Sequence, residues 1–97
     1  MDDVSFAWDE QKAAQNARKH KVSFEEAMSV FLDENAVEYF DPDHSEGEDR
    51  FLMLGVSWRL RLGVVHYALR RRGRQIRIIS ARKATKGESK TYSWNKP

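Results

Sequence analysis

Ninety-seven residues, 40% hydrophobic and 11% aromatic, suffice for one compact domain spanning 1–97 and are too few for two. The chain has no cysteine and no run of about 18 apolar residues, which excludes disulfides, thiolate metal sites and a membrane span, and the lack of an apolar segment behind a basic start points to the cytoplasm. The net charge of +2 conceals a division: residues 1–49 hold 4 Lys and Arg against 14 Asp and Glu, and residues 50–97 hold 13 against 1.

Val4, Phe6 and Trp8 alternate with Ser5 and Ala7, which predicts a short first strand ending at Asp9, a good helix N-cap. No Gly, Pro or β-branched residue interrupts 10–19, and Ala13, Ala14 and Ala17 form a thin apolar stripe, so a helix follows. Lys12, Asn16 and Lys19 share one face of it, with His20 near its end. Ser23 and Glu26 read as an S-x-x-E capping box opening a second helix. Phe24, Ala27, Met28, Phe31 and Leu32 then fall at i, i+3, i+4, i+7 and i+8, the core stripe of an amphipathic helix that ends by Asp33-Glu34-Asn35.

A short strand over 36–40 is closed by Asp41-Pro42, and the polar loop after it carries Asp41, Asp43, His44, Glu46 and Glu48. A metal reading of that loop is disfavoured. Hard cations need a ligand periodicity around a turn glycine, and zinc would want more nitrogen or sulfur ligands. Three strands follow in series, over 50–58, 61–69 and 74–81, joined by a tight Arg59-Leu60 turn and by a second turn in which Gly73 supplies permissive φ. They predict an antiparallel meander with helices on one face and a partly covered second face. Thr85 and Glu88 form another capping box, opening a last helix that runs through Tyr92 and is weakened by Gly87, with Lys96 and Pro97 as a frayed tail.

The segment QIRIISARK, 75–83, is the central strand, and it interleaves Ile76, Ile78 and Ile79 with Arg77, Arg82 and Lys83. A cation on a buried strand needs an acid partner, an aqueous edge or a phosphate. The charge division between the two halves suits a polyanionic or acidic partner; equally, the acidic half can fold over the basic half and neutralise it.

The ordered set F-x-W-D (Phe6, Trp8, Asp9), N-x-x-K-H-x-V-S-F-E-E-A (Asn16, Lys19, His20, Val22 to Ala27), F-x-D (Phe31, Asp33), D-x-x-H (Asp41, His44), E-x-R-F (Glu48, Arg50, Phe51), G-x-S (Gly55, Ser57) and R-I-I-S-A-R-x-A-T (Arg77 to Thr85) resembles the BrnT family, toxins of type II toxin–antitoxin systems. The resemblance implies a RelE-like α+β fold, two N-terminal helices packed on a mainly antiparallel sheet of about four to five strands, with a C-terminal helix. It also implies a ribonuclease that halts translation and growth. Its partners would be RNA as substrate and a BrnA-like ribbon-helix-helix antitoxin in a hetero-oligomer of about 2:2 stoichiometry, with operator DNA bound only by the toxin–antitoxin complex. Gly87 departs from the charged helix former common there, and Trp58-Arg59 from a small or glycine-containing turn.

Metal-independent, cofactor-free RNA cleavage uses the 2′-hydroxyl as nucleophile, so the protein moves two protons and stabilises a phosphorane. Arginine suits the second task, and Arg77 and Arg82, with Lys83 beyond, are the candidates. For proton transfer His20 supported by Lys19 is preferred over His44, His66, Glu48 and Tyr67, with His66 read as a core histidine and His44 as loop surface. Lys12, Asn16, Arg70, Arg71 and Lys83 are candidate RNA contacts, and Tyr67, Trp58 and Trp94 candidate stacking platforms. The alternative is a non-catalytic basic module that holds nucleic acid or docks the antitoxin.

Overall fold

The computed structural model describes residues 3–92, so Trp94 and the Lys96-Pro97 tail lie outside the described residues. In chain order the elements are β1 (Ser5–Ala7), α1 (Glu10–His20), α2 (Phe24–Val30), β2 (Val37–Phe40), a 3-10 turn (Pro42–His44), β3 (Arg50–Val56), β4 (Leu62–Arg70), β5 (Gln75–Lys83) and α3 (Lys86–Ser89). The last helix is a single turn and stops short of Tyr92. Among the described residues no helix is long and apolar enough to cross a membrane.

Five strands form one sheet in the order β1-β5-β4-β3-β2. β3 to β5 are the expected antiparallel meander and β2 extends it beyond β3, but β1 pairs parallel with β5, Ser5 opposite Gln75 and Ala7 opposite Arg77. The sheet is therefore mixed. Alternation of side chains marks β1 as a strand but says nothing about the edge it joins or its direction there.

The helix ends follow local chemistry. Asp9 caps α1 by accepting from the Lys12 N–H at 3.1 Å, and Lys21 closes it in the left-handed region at φ 60°. Ser23 caps α2 through the Glu26 N–H at 3.0 Å, but the expected reciprocal bond is missing because the Glu26 carboxylate turns to Ser57 and Arg61 of the β3–β4 turn instead. Around Thr85 and Glu88 the box is complete. In the β4–β5 turn Gly73 has φ +85°, and Arg71 and Arg72 share the left-handed region with it.

The helix-side face carries the main core: Phe24, Ala27 and Val30 of α2 against Val65 and Tyr67 of β4 and Ile76, Ile78 and Ala81 of β5, with Ala13 of α1 at its margin. Rings of Phe6, Phe31, Tyr67 and Phe51 meet in succession at 4.9 to 5.6 Å between centroids. On the other face Leu54, Val64 and Tyr92 form a second, smaller cluster with Leu52 and Leu62, covered by the chain around α3. That cover reaches only half of the face.

Cross-strand register places Arg50, Ala68 and Arg77 side by side on this second face, then Leu52, His66 and Ser80, then Leu54, Val64 and Arg82. One irregularity makes this possible. Tyr67 stands opposite Ile78 and His66 opposite Ser80, so Ile79 is an extra residue, a β-bulge. Arg77 and Arg82 are five apart and would face opposite ways in a regular strand; the bulge brings them to one face.

Candidate active site

On the uncovered half of that face lies a cleft of about 440 Å³, lined by Asp41, His44, Arg50, Phe51, His66, Ile79 and Ser80. The 3-10 turn supplies one wall. Asp41 is bound back to β3 through its N–H to the Arg50 carbonyl at 2.9 Å, and Ser45 Oγ accepts the Arg50 N–H at 3.1 Å. His44 Nδ1 sits 2.8 Å from Asp41 Oδ2. A carboxylate only accepts, so Nδ1 carries the hydrogen and Nε2 is left for other work.

His66 rises from the middle of β4 with its Nδ1 2.8 Å from Ser80 Oγ on β5. It is neither a core residue nor remote from His44: both line the cleft. Burial, and then the positive charge of Arg82, pushes the His66 imidazole below its ordinary pKa, so it is neutral at pH 7. Arg82 is held in a two-pronged pair with Glu88, both bonds at 2.8 Å, and that pairing takes the Glu88 carboxyl down to about 2. Arg77 is joined to Glu48 at 2.8 Å, and Glu48 also receives Arg50 Nε at 3.2 Å and Arg70 at 3.3 and 3.4 Å. Burial works against ionisation of Glu48, but Arg77 and Arg50 outweigh it and hold the carboxyl below its usual range. Acids of the first half thus do pair with arginines of the second.

A second groove, about 640 Å³, runs beside the first between α1 and the bulge; Lys12, Gln15, Asn16, Lys19 and His20 line it together with Ile79 and Ser80. The two grooves share the bulge residues. Lys19 and His20 therefore flank the cleft with the two histidines without entering it, and Lys12 stands exposed along the same approach.

Two expected RNA contacts are corrected by their burial. Asn16 is 7% exposed and its amide works as a piece of β-strand: Oδ1 accepts the Ala81 N–H at 3.1 Å, while Nδ2 donates to the carbonyls of Ala81 at 2.8 Å and Val22 at 3.0 Å. It closes the edge of β5 where β1 has ended. Tyr67 is 1% exposed, in the core, with its hydroxyl on Glu38, so no base can stack on it. Lys83, opposite Gly63, falls on the face away from Arg82, and Trp58 lines a separate groove with Leu32. Arg70 and Arg71 are exposed at the β4–β5 end.

Several other motif positions hold the fold. Glu26, 3% exposed, accepts from Ser57 Oγ at 2.7 Å and from Arg61 Nε at 3.0 Å, pinning α2 to the β3–β4 turn. Asp33 receives the Val56 N–H at 2.8 Å and the Tyr92 hydroxyl. Gly55 leaves no room for a side chain, since a Cβ there would lie 3.0 Å from both Ala36 Cβ and Val30 Cγ1. Of the remaining motif positions, Asp41, His44, Glu48, Arg50, Arg77, Ser80 and Arg82 gather on the open face, with Lys19 and His20 in the groove beside it. The signal for Asp41, His44, Arg50 and Ser80 lay in D-x-x-H, E-x-R-F and the serine of RIISAR.

The family model for the ribonuclease toxin BrnT of type II toxin–antitoxin systems matches residues 8–88. The crystal structure of the Brucella abortus ribonuclease toxin BrnT superposes with a TM-score of 0.63, covering 86% of this chain and 99% of that one at 24% identity, a likeness of fold. No curated protein matches the chain.

Proposed function

The chain belongs to the BrnT family of ribonuclease toxins of type II toxin–antitoxin systems, and from that premise we propose that it is a metal-independent endoribonuclease that cuts RNA in the cleft on the open face of its sheet. The observation that carries this reading is the meeting of Asp41, His44, Arg50, His66 and Ser80, from three distant segments, in one cleft beside Arg77 and Arg82.

In this reading neutral His66 takes the proton of the 2′-hydroxyl as that oxygen attacks phosphorus. His44, backed by the Asp41 carboxylate, gives a proton to the departing 5′-oxygen. The P–O5′ bond breaks, leaving a 2′,3′-cyclic phosphate and a 5′-hydroxyl. Arg50 and Arg82 offer positive charge to the phosphorane. Lys12, Lys19 and His20 guide the RNA backbone across Ile79 and Ser80, so His20 serves the approach rather than the proton transfer. The proposal includes a RelE-like plan, action in the cytoplasm against translation and growth, and neutralisation by a BrnA-like ribbon-helix-helix antitoxin. The exposed Arg70, Arg71 and Arg72 supply a basic surface for an acidic segment of that partner, with operator DNA bound by the hetero-oligomer.

A second reading, a non-catalytic basic module, has support in the fact that Arg77 and Arg82 are each paired with a glutamate inside the fold. One experiment separates the two. Purified, antitoxin-free protein is incubated with total RNA in EDTA beside His44→Ala and His66→Ala. A nuclease of this design cuts in EDTA, and each variant is slower by about 10²- to 10⁴-fold. Binding without cutting by the wild type supports the module, and unimpaired cutting by both variants moves the chemistry elsewhere.

A further inference from the structure

Three guanidinium groups converge on one carboxylate at the edge of the cleft. Glu48 Oε2 receives Arg77 Nη2 at 2.8 Å and Arg50 Nε at 3.2 Å, and Oε1 receives Arg70 Nε at 3.4 Å and Nη2 at 3.3 Å. Three positive charges against one negative leave this point strongly cationic. The geometry is also loose. Arg82 and Glu88 meet in two bonds of 2.8 Å, whereas Arg70 is at the outer limit of hydrogen bonding and Arg50 and Arg77 each give Glu48 a single bond. Arg77 Nε is buried with no hydrogen-bond partner among the described residues, so the cluster holds a donor that the carboxylate does not satisfy.

A phosphodiester can take the place of the carboxylate here, because its negative charge is likewise shared by two non-bridging oxygens, each of which can accept from more than one arginine. Arg50 belongs both to this cluster and to the cleft wall, so the cluster adjoins the place of cleavage. Glu48 sits outside the strands, two residues before β3, in a loop tied down by backbone and serine contacts of Asp41, Ser45 and Arg50 and by the Asp49 carbonyl, which accepts the Leu69 N–H at 3.3 Å, none of them through the Glu48 side chain. Its carboxylate can therefore leave while the sheet stays intact.

We propose that Arg50, Arg70 and Arg77 form a phosphate subsite for RNA, that Glu48 occupies it in the free protein as an internal stand-in, and that a backbone phosphate next to the scissile one displaces Glu48 on binding. The identity of the occupant as RNA rests on the nuclease reading of the cleft; the anion subsite itself does not. The consequence is a built-in restraint on affinity, since binding draws on the fraction of molecules whose arginines are released.

The test uses a fluorescent 2′-O-methyl RNA octanucleotide, which presents phosphodiesters but no nucleophilic hydroxyl, with binding followed by anisotropy at fixed salt. Glu48→Gln keeps the shape of the side chain and removes its charge, and it is expected to bind about tenfold more tightly if the released state is about a tenth of the population. Adding Arg77→Ala to Glu48→Gln is expected to abolish the gain. Glu46→Gln, an exposed acid of the same loop, removes the same net charge and controls for long-range attraction. Equal or weaker binding by Glu48→Gln, no measurable binding by any form, or an equal gain in Glu46→Gln overturns the proposal. A parallel cleavage assay on unmodified RNA keeps the two ideas apart. Tighter binding by Glu48→Gln with no cutting by the wild type upholds the subsite and sinks the nuclease, and cutting without any gain does the reverse.

Discussion

Replacing Asn16 by alanine removes three hydrogen bonds at once, to Ala81 N–H at 3.1 Å, Ala81 C=O at 2.8 Å and Val22 C=O at 3.0 Å, in a site 7% exposed. Each is worth about 1 kcal/mol net, and a buried backbone group left unsatisfied costs about 1–3 kcal/mol. Water that enters beside α1 recovers part of the loss, so the expected total is about 3 kcal/mol against a folding stability of about 5–15 kcal/mol. At roughly 4–8 °C per kcal/mol for a domain of this size, the midpoint of thermal unfolding should fall by about 12–24 °C. Urea unfolding followed by circular dichroism gives the same quantity as a lower midpoint with little change in slope. Asn16→Asp is expected to be worse, because it keeps the acceptor for Ala81 N–H and sets a carboxylate against two carbonyl oxygens. If Asn16→Ala instead melts within about 2 °C of the wild type and loses RNA affinity, the amide serves a ligand and the strand-closing argument is wrong.

Other outcomes follow from the same contacts. Gly55→Ala places a Cβ 3.0 Å from Ala36 Cβ and Val30 Cγ1, and is expected to cost about 1–3 kcal/mol in urea unfolding; an unchanged midpoint would show that α2 can shift outward freely. The folded pKa of Glu88, about 2, lies below its unfolded value, so the Arg82 pair stabilises above about pH 4.5 and that stability fades as pH falls toward 2. After discounting for a pair about a third exposed, Glu88→Gln should lower stability by about 1–2 kcal/mol at pH 7 and by far less once the pH has fallen through 2, and equal loss at both pH values would contradict this. His66 has its pKa lowered, so its neutral form persists below about pH 6.5. The acid limb of the pH–rate profile should accordingly lie below that value in the wild type; a limb above it assigns the base to another group. The same shift means that stability contributed by neutral His66 is lost as pH drops below the unfolded value and protonation is forced.

The types of most elements were legible in the residues alone, because each rests on contacts within a few positions. The i, i+3, i+4 spacing of Phe24, Ala27 and Met28 marks α2, the Thr85–Glu88 box marks α3, and Gly73 marks the turn at φ +85°. The cationic character of β5 and the kinship carried by RIISAR and KHxVSFEEA were equally plain. The destination of particular side chains was less so. Asn16 looks like one more polar residue on an exposed helix face, and Tyr67 like an available ring, until the strands beside them are known. Glu26 reads as half of a capping box, yet its charge is drawn away to Arg61, a stronger partner 35 positions along the chain.

Composition, local spacing and motif thus determined an α+β chain with a basic central strand and a toxin family's residues. Tertiary structure alone decided which of those residues act together. Parallel pairing of β1 leaves the far end of β5 for Asn16 to close. The bulge at Ile79 turns Arg77 and Arg82 to one face, and register across β3, β4 and β5 sets Arg50, His66 and Ser80 among them. Propensity acts over a few residues, whereas a cleft is made by strands whose alignment depends on the whole sheet, and a one-residue slip sends every side chain to the opposite face.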